Sequence, residues 1–204
     1  MKQQFVETIK MKNGEVLNLT YHQKRLERTI AHFFPELNST AIPRLETLID
    51  FPAYKGVFKI RVLYGNKGIE HIECAPYTLR SIRSLQVVHN DEINYAYKST
   101  QRTALQALAA QRGECDDIVI VKNGLVTDTS FTNLAIFNGH EWLTPRIPLL
   151  AGTRRAWLLD KGMIKEADLT PHDLYNARKI RLFNAMIDFD ECELNNEDCL
   201  LLNE

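Results

Sequence analysis

The chain has 204 residues, enough for one large domain or for two small ones that each bury a core. Its 25 basic and 26 acidic residues nearly cancel, so charge gives no argument for binding nucleic acid or a membrane surface. No apolar run approaches the length of a membrane span, and the polar N-terminus differs from a signal peptide. The cysteines form no C-x-x-C pair and have no metal-type spacing with histidine; they are Cys74, Cys115, Cys192 and Cys199. We therefore expect free thiols, no metal site and a cytoplasmic α/β protein.

The first part of the chain predicts a small α+β lobe. Its predicted elements are a hairpin over 5–19, helices over 21–34 and 41–53, and a second hairpin over 57–75. Asn13-Gly14 supplies the first hairpin turn. Thr20 is a plausible N-cap for the long helix, and Pro35 ends it.

The helix predicted over 21–34 carries an arginine at the boundary of its buried face. Leu26 and Ile30 belong to the apolar stripe, whereas His22 and Arg25 lie along its edge. From the residues alone, Arg25 reads as a boundary residue whose stem packs against the core while its charge reaches water.

After a crossover at 76–83, the pattern predicts a second, larger region that begins with alternating strands and a helix. These elements are strands over 85–89 and 93–98, then a helix that is capped by Ser99 or Thr100 and closed by Gly113. On the second of these strands Tyr95 and Tyr97 share one face, and Lys98 lies on the other at the strand-to-helix junction. A lysine in such a place is ordinarily a surface residue.

The stretch 116–161 predicts a β-meander followed by a helix. Its strands are predicted over 118–121, 125–126, 134–137 and 142–144. Asn123-Gly124 is a strong hairpin signal. Gly152-Thr153 opens the helix, and the backbone N–H groups at a helix start suit a phosphate or carboxylate. We expect a polar pocket at a sheet edge that faces this anion site. Asp128 lies between the strands, where it also reads as an ordinary turn residue.

The order of these motifs resembles that of the class IV aminotransferases. The pieces G-x-V-T-D-x-x-x-x-N-L, T-P and L-L-x-G-T-x-R occur in the family's order with compatible gaps, and the resemblance runs from Phe5 to about Phe189. It implies a pyridoxal-phosphate enzyme of fold type IV, an α/β (α+β) protein in two lobes. The small lobe would span 1–83, and the larger, β-rich lobe over 84–204 would carry most cofactor-binding residues. The resemblance also implies a homodimer.

Within this resemblance, Lys98 and Asp128 would meet two chemical demands of the cofactor. Lys98, in a K-x-x-x-R context, would form the Schiff base and move a proton at the substrate carbon. Asp128 stands where the family has the glutamate that keeps the pyridine nitrogen protonated, five residues before the motif's Asn133. Aspartate keeps the charge but is one methylene shorter.

The resemblance also implies a phosphate site. Arg25, in an H-x-x-R-L segment, would bind the phosphate through its rigid guanidinium fork. Gly152 and Thr153 would add backbone N–H groups at the positive end of a helix. Arg154 would contribute there too, but it occupies the family's hydroxyl position, so one side-chain bond is replaced by charge or lost. Asn184, in the R-L-F-N-A-M strand, is a further candidate pocket residue.

Two residues of the first strand are candidate substrate contacts. Lys10 stands where family members carry an arginine, and together with Thr8 it could contact a substrate carboxylate. Compared with the family the chain starts late, which leads us to expect a more open substrate pocket.

The resemblance leaves two reactions open. One is amino transfer, as in the branched-chain and D-amino-acid aminotransferases. The other is release of pyruvate from 4-amino-4-deoxychorismate, which leaves 4-aminobenzoate for folate synthesis. The K-x-x-x-R context, the N-A-M strand and the short chain favour the lyase, whereas Arg154 and the late start keep amino transfer open. A hypothesis from another class is a non-catalytic module with a degenerate site that only binds a phosphate ligand or the cofactor.

Overall fold

The structure is a computed structural model that describes residues 3–37, 42, 44–195 and 200–201. The chain forms two compact units, one of Met1–Leu79 with Tyr97–Gln101 and the other of Arg80–Ala96 with Arg102–Glu204. The division into lobes at 83/84 stays a prediction. Over the described ranges, no helix is both long enough and apolar enough to cross a membrane.

The first unit is an antiparallel sheet with a long helix packed on one face. Its elements are β1 Gln4–Lys12, β2 Glu15–Val16, α1 Leu19–Phe33, α2 Leu45–Leu48, β3 Val57–Gly65 and β4 Gly68–Pro76. The strands stand in the order β2-β1-β3-β4. Because side chains alternate along a strand, Phe5 and Ile9 of β1 share one face, where they pack with Leu26 and Ile30 of α1. Glu7 lies between them on the same face.

Both helices of this unit differ at their ends from the sequence prediction. α1 starts directly after Asn18, which adopts the left-handed conformation with φ 55°, so Thr20 lies inside the helix and does not cap it. α2 covers only the middle of the range predicted as 41–53, because Ile49 is already extended. Residues 41 and 43 lie outside the described part.

The segment 97–101 is attached to the start of β1. Ser99 forms an isolated bridge with Phe5, and the Val6 N–H donates to the Lys98 carbonyl at 3.0 Å. The strand predicted over 93–98 is therefore wrong, since no ladder forms there.

The failed strand has a physical cause. Ile93 packs in the second unit with Leu105 and Ile118, whereas Tyr97 packs in the core of the first unit. The apolar alternation that suggested one sheet face thus belongs to two separate cores. The helix after this segment starts at Thr103 with Arg102 as its N-cap residue, so neither Ser99 nor Thr100 caps it.

The second unit contains two sheets. Its elements are β5 Leu85–His89, α3 Thr103–Ala109, β6 Asp117–Lys122, β7 Leu125–Thr129, β8 Asn133–Phe137, β9 Trp142–Pro145, α4 Thr153–Asp160, β10 Lys165–Ala167, α5 Pro171–Asn176, β11 Lys179–Phe183, β12 Glu193–Asn195 and β13 Leu200–Leu201. One sheet has the order β13-β5-β6-β7 and the other the order β10-β9-β8-β11-β12. Val119 and Val121 from the first sheet pack with Leu134, Ile136 and Leu182 from the second in one core.

The predicted meander is divided between these two sheets. The β6–β7 hairpin turns at Asn123 and Gly124, whose φ values of 51° and 77° suit a type I′ turn. β8 and β9 pair in the other sheet, so the chain changes sheets in the turn over 129–132. Cys74, Cys115 and Cys192 are free thiols, and Cys199 lies outside the described residues.

Candidate active site

The two units each contain part of the predicted site. The first unit carries Thr8, Lys10, Arg25 and Lys98, and the second carries Asp128, Asn133, Gly152, Thr153, Arg154 and Asn184.

In the first unit, Arg25 is held by a carboxylate that the sequence reasoning missed. Glu7 of β1 accepts hydrogen bonds from Arg25 Nε at 2.9 Å and from Arg25 Nη2 at 2.5 Å. Its Oε2 also lies 2.6 Å from Nδ1 of His22. Glu7 and His22 are fully buried, and Arg25 is 7% exposed. Arg25 is therefore a buried, oriented guanidinium and not a snorkelling boundary residue.

The charges of this cluster are set by burial and by mutual contact. Burial alone would raise the pKa of Glu7, but the charge of Arg25 and hydrogen bonds from His22 and Arg25 lower it to about 2. Burial lowers the pKa of His22, and the charges of Arg25 and Lys98 lower it further, against the opposing effect of Glu7. The cluster therefore consists of a carboxylate, a guanidinium and a neutral imidazole that donates from Nδ1.

Lys98 is half-buried and belongs to the first unit through its backbone. The preceding Tyr97 is packed between side chains of α1. Its ring stacks on His32 with centroids 4.8 Å apart and meets Phe33 edge-on at 4.8 Å. The guanidinium carbon of Arg28 lies 5.8 Å from the same ring centroid. These contacts fix the backbone that carries Lys98.

The two candidate substrate residues lie on the sheet face opposite Glu7. Lys10 is only 2% exposed, and Thr8 is half-buried. In the register with β3, Thr8 pairs with Arg61 and Lys10 with Lys59, so this face carries three cationic side chains, of which Arg61 forms an ion pair with Glu73 of β4. Their contact with a substrate carboxylate stays a prediction.

In the second unit, Asp128 is placed by an irregularity of the β6–β7 ladder. Val119 pairs with Thr129 but Val121 pairs with Val126, so Thr127 and Asp128 together oppose a single residue of β6. Such a bulge redirects side chains and is common beside active sites. Asp128 therefore belongs to a strand and is not the turn residue that its sequence context also allowed.

Asp128 is buried and bound by two donors. Its Oδ1 accepts from Asn133 Nδ2 at 2.9 Å, and its Oδ2 accepts from the Leu150 N–H at 2.7 Å. Burial raises the pKa of Asp128 to about 7, although the Leu150 N–H, Asn133 and the charge of Arg155 act in the other direction. In this dry site the carboxyl group holds its proton tightly. A cationic partner beside it would favour the ionised form.

Asn133 links this acid to the start of α4. Its Nδ2 also donates to the Leu150 carbonyl at 2.9 Å. A Cβ atom at Gly152 would lie only 1.9 Å from Asn133 Oδ1, so the asparagine occupies space that any side chain at Gly152 would fill. The first helical hydrogen bond, from the Ala156 N–H to the Gly152 carbonyl, begins at this glycine. The φ of Gly152, −71°, is accessible to any residue, so glycine is needed here for close packing and not for its backbone conformation.

Arg154 and Thr153 are buried in the first turn of α4. Arg154 forms an ion pair with Asp188. Its guanidinium carbon also lies 5.4 Å from the ring centroid of Trp157. The charge at the family's hydroxyl position is therefore balanced by a neighbouring carboxylate, and a direct cofactor contact of Arg154 stays a prediction.

Asn184 follows β11 and is engaged in local bonds. Its Nδ2 donates to the Phe131 carbonyl at 3.1 Å, and its Oδ1 accepts from the Met186 and Ile187 N–H groups. Asn184 thus contacts the turn that joins Asp128 to Asn133.

The chain is similar to a protein family and to several known proteins. A family model described as Amino-transferase class IV matches residues 4–189. An uncharacterized protein of Haemophilus influenzae is 37% identical over 182 residues, which cover 88% of this chain and 96% of that protein. A crystal structure from Haemophilus somnus, described provisionally as a 4-amino-4-deoxychorismate lyase, has a TM-score of 0.84 at 34% identity and covers 91% of this chain and 97% of its own. A Schizosaccharomyces pombe protein provisionally named aminodeoxychorismate lyase is 31% identical over 127 residues, 57% of this chain and 54% of that protein.

Proposed function

Because the chain belongs to the class IV aminotransferase family and is therefore a pyridoxal-phosphate-dependent enzyme, we propose that it catalyses the 4-amino-4-deoxychorismate lyase reaction. Membership of the family confirms the resemblance and the mixed α/β fold inferred from the sequence. It does not support the alternative of a non-catalytic module. The lyase is favoured over amino transfer by the Haemophilus somnus relative and by the K-x-x-x-R context of Lys98.

The observation that carries cofactor binding, on which either reaction depends, is the state of Asp128. A carboxyl group with a pKa raised to about 7 is held in a dry site by Asn133 and the Leu150 N–H. The protonated pyridine nitrogen of the cofactor would supply the missing positive charge and keep this acid ionised. The residues of the second unit therefore fit pyridoxal phosphate.

Two groups are proposed to bind the phosphate. Arg25 offers a guanidinium whose plane is already fixed by Glu7, so little side-chain entropy remains to be lost on binding. Gly152 and Thr153 stand at the N-terminus of α4, where the helix dipole favours an anion. Arg154 adds positive charge near that helix start, although Asp188 balances it.

Lys98 is proposed to hold the cofactor's aldehyde carbon and to move the proton in the reaction. When bound, the cofactor withdraws electrons from the substrate carbon that carries the amino group. Once the amino group of 4-amino-4-deoxychorismate had replaced Lys98 at that carbon, the freed Lys98 amine would take the proton from C4 of the substrate while the bond between C3 and the ether oxygen breaks. The ring becomes 4-aminobenzoate, and the proton goes to the methylene carbon of the departing enolate, which becomes pyruvate. No keto acid is consumed, because the elimination changes no net oxidation state.

The substrate carries carboxylates, and the cationic sheet face of the first unit suits such a group. We propose that Lys10 and Thr8 contact one of them. A role in folate synthesis, a cytoplasmic location and a homodimer complete the proposal on family grounds.

The first test asks whether Lys98 holds the cofactor. Purified protein should be incubated with pyridoxal phosphate and reduced with borohydride, and the modified peptide identified by mass spectrometry. We expect the added mass on Lys98, its loss in Lys98→Ala, and no change in the control Lys67→Ala at an exposed turn. Modification at another lysine would overturn this assignment.

The second test concerns the reaction. The loaded protein is given 4-amino-4-deoxychorismate without any keto acid, and pyruvate and 4-aminobenzoate are measured. The lyase proposal predicts equal amounts of both. If these products are absent and the protein instead transfers an amino group from a supplied amino acid to a supplied keto acid, it is an aminotransferase.

A further inference from the structure

We propose that Arg102 and Asn184 are positioning residues that fix the turn over 129–132 and thereby hold Asp128 for the cofactor ring. The inference rests on the proposed function, because Asp128 has its role only toward pyridoxal phosphate. Arg102 of the K-x-x-x-R motif and Asn184 of the N-A-M motif would then have the same role within the second unit.

The turn over 129–132 reverses the chain between Asp128 and Asn133. The Thr129 N–H donates to the Thr132 carbonyl at 3.0 Å, and the Thr132 N–H donates to Thr129 Oγ1 at 3.0 Å. The two threonine hydroxyls lie 2.8 Å apart. This hydroxyl-capped turn is what allows Asn133 to donate to Asp128 across five residues of sequence.

The two carbonyls at the tip of the turn are bound by side chains from distant parts of the sequence. Arg102 Nη2 donates to the Ser130 carbonyl at 2.7 Å. Asn184 Nδ2 donates to the Phe131 carbonyl at 3.1 Å. Ser130 is 7% exposed, so a water molecule is poorly placed to replace the arginine. Backbone carbonyls that are shielded from water need such partners, and here side chains supply both of them.

Arg102 is itself anchored at the start of α3. Its carbonyl accepts from the Gln106 N–H at 2.8 Å, and its guanidinium carbon lies 5.8 Å from the Tyr95 ring centroid. Its Nε is buried, with no hydrogen-bond partner among the described residues. A hydrogen bond from a charged donor is stronger than one between neutral groups, so it can hold the turn.

Asn184 is fixed at its other end. Its Oδ1 accepts from the Met186 N–H at 2.8 Å and the Ile187 N–H at 3.1 Å, which closes the loop after β11. The amide group is thereby oriented, and its Nδ2 is directed to Phe131. Replacement by aspartate would keep the acceptor toward the loop and put a negatively charged acceptor in place of the donor, facing the Phe131 carbonyl.

The test compares two probes that differ only at the atom Asp128 is proposed to meet. The probes are pyridoxal phosphate and its 1-deaza analogue, in which a C–H group replaces the ring nitrogen. Affinities of the cofactor-free protein for both probes are measured by titration. The wild type should bind pyridoxal phosphate more tightly than the analogue, and Asp128→Asn should remove this preference.

Arg102→Met and Asn184→Asp should each weaken binding of pyridoxal phosphate by about 10-fold, the scale at which loss of an outer supporting partner acts in metal sites. Binding of the 1-deaza analogue should change little. Arg102→Lys should recover part of the loss, and Arg112→Met, at an exposed arginine of the same unit, should change neither affinity. In Arg102→Met combined with Asp128→Asn, the loss should be no larger than in Asp128→Asn alone.

The outcomes separate this inference from the proposed function. Equal weakening of both probes would mean that Arg102 and Asn184 only stabilise the fold, and unchanged affinities would mean that the turn keeps its place without them; either result overturns the inference. If the wild type binds neither probe, the proposed function itself fails.

Discussion

Glu7 and Arg25 form a buried ion pair that joins the central strand of the first unit to its long helix. The carboxylate meets Nε at 2.9 Å and Nη2 at 2.5 Å, so it grips one edge of the guanidinium and fixes its plane. The pair makes Arg25 part of the core and orients it before any anion arrives. The fold and the proposed phosphate site therefore depend on the same contact.

Glu7→Gln should destabilise the protein by about 3–5 kcal/mol, because it leaves Arg25 buried without its counter-charge. Urea denaturation measures this loss. The matched control is Glu73→Gln, which breaks the exposed pair with Arg61 in the same sheet and should cost at most about 1 kcal/mol. Adding Arg25→Met to Glu7→Gln should recover part of the stability; equal losses in the two single Glu variants would contradict the prediction.

The local signals in the sequence predicted much of this fold. Asn123-Gly124 requires left-handed backbone at both positions, and a hairpin formed there. The spacing of Asp128 and Asn133 pointed to one site, and the structure brings their side chains into contact. These signals succeed because each acts within a few residues or belongs to a motif with fixed spacing.

Other features depended on contacts that a linear reading does not contain. A glutamate in a strand reads as a solvent-facing residue, and Glu7 is buried only because His22 and Arg25 lie opposite it on α1. The strand predicted over 93–98 failed because Ile93 and Tyr97 pack in different cores. The bulge at Asp128 and the bonds from Arg102 and Asn184 to the turn likewise arise from tertiary packing.

The stability of the cofactor-free protein should fall with rising pH because of Asp128. Its pKa rises from 3.8 to about 7 on folding, so the folded state binds the extra proton. The resulting stabilisation is full below pH 3.8 and is lost as the pH rises through 7. Melting temperatures of the wild type and Asp128→Asn at several pH values from 4 to 8 test this. As the pH rises, the melting temperature of the wild type should fall steadily relative to that of the variant. Parallel curves of melting temperature against pH would contradict the raised pKa of Asp128.

Gly152→Ala should disturb the acid site without straining the backbone. The added Cβ would lie 1.9 Å from Asn133 Oδ1, so Asn133 must move and its bond to Asp128 weakens. Such overpacking costs about 1–3 kcal/mol. Chemical denaturation should show a loss of stability, and titration with pyridoxal phosphate should show a loss of affinity. Ala151→Ser, at the exposed neighbouring position, is the control and should leave both unchanged. Wild-type affinity in Gly152→Ala would show that Asn133 is free to shift.

Tyr97→Ala should loosen the attachment of the Lys98 segment to β1. The ring of Tyr97 is held by His32 and Phe33, and its loss removes the packing next to the backbone bond from the Val6 N–H to the Lys98 carbonyl. Since the side chain is half-buried, we expect a cost of about 2 kcal/mol, below the roughly 3–5 kcal/mol of a fully buried aromatic residue. Hydrogen exchange should speed up at the Val6 and Thr100 amides, while amides in the centre of β3 change only with global stability.

Tyr97→Phe is the matched control for this loosening, because it keeps the ring that His32 and Phe33 contact. Exchange at Val6 should then stay close to that of the wild type, and borohydride should still fix pyridoxal phosphate on Lys98. In Tyr97→Ala the yield of this fixation should drop, because a mobile backbone no longer presents the amine at one place. Faster exchange with undiminished fixation would show that Tyr97 stabilises the first unit without positioning Lys98.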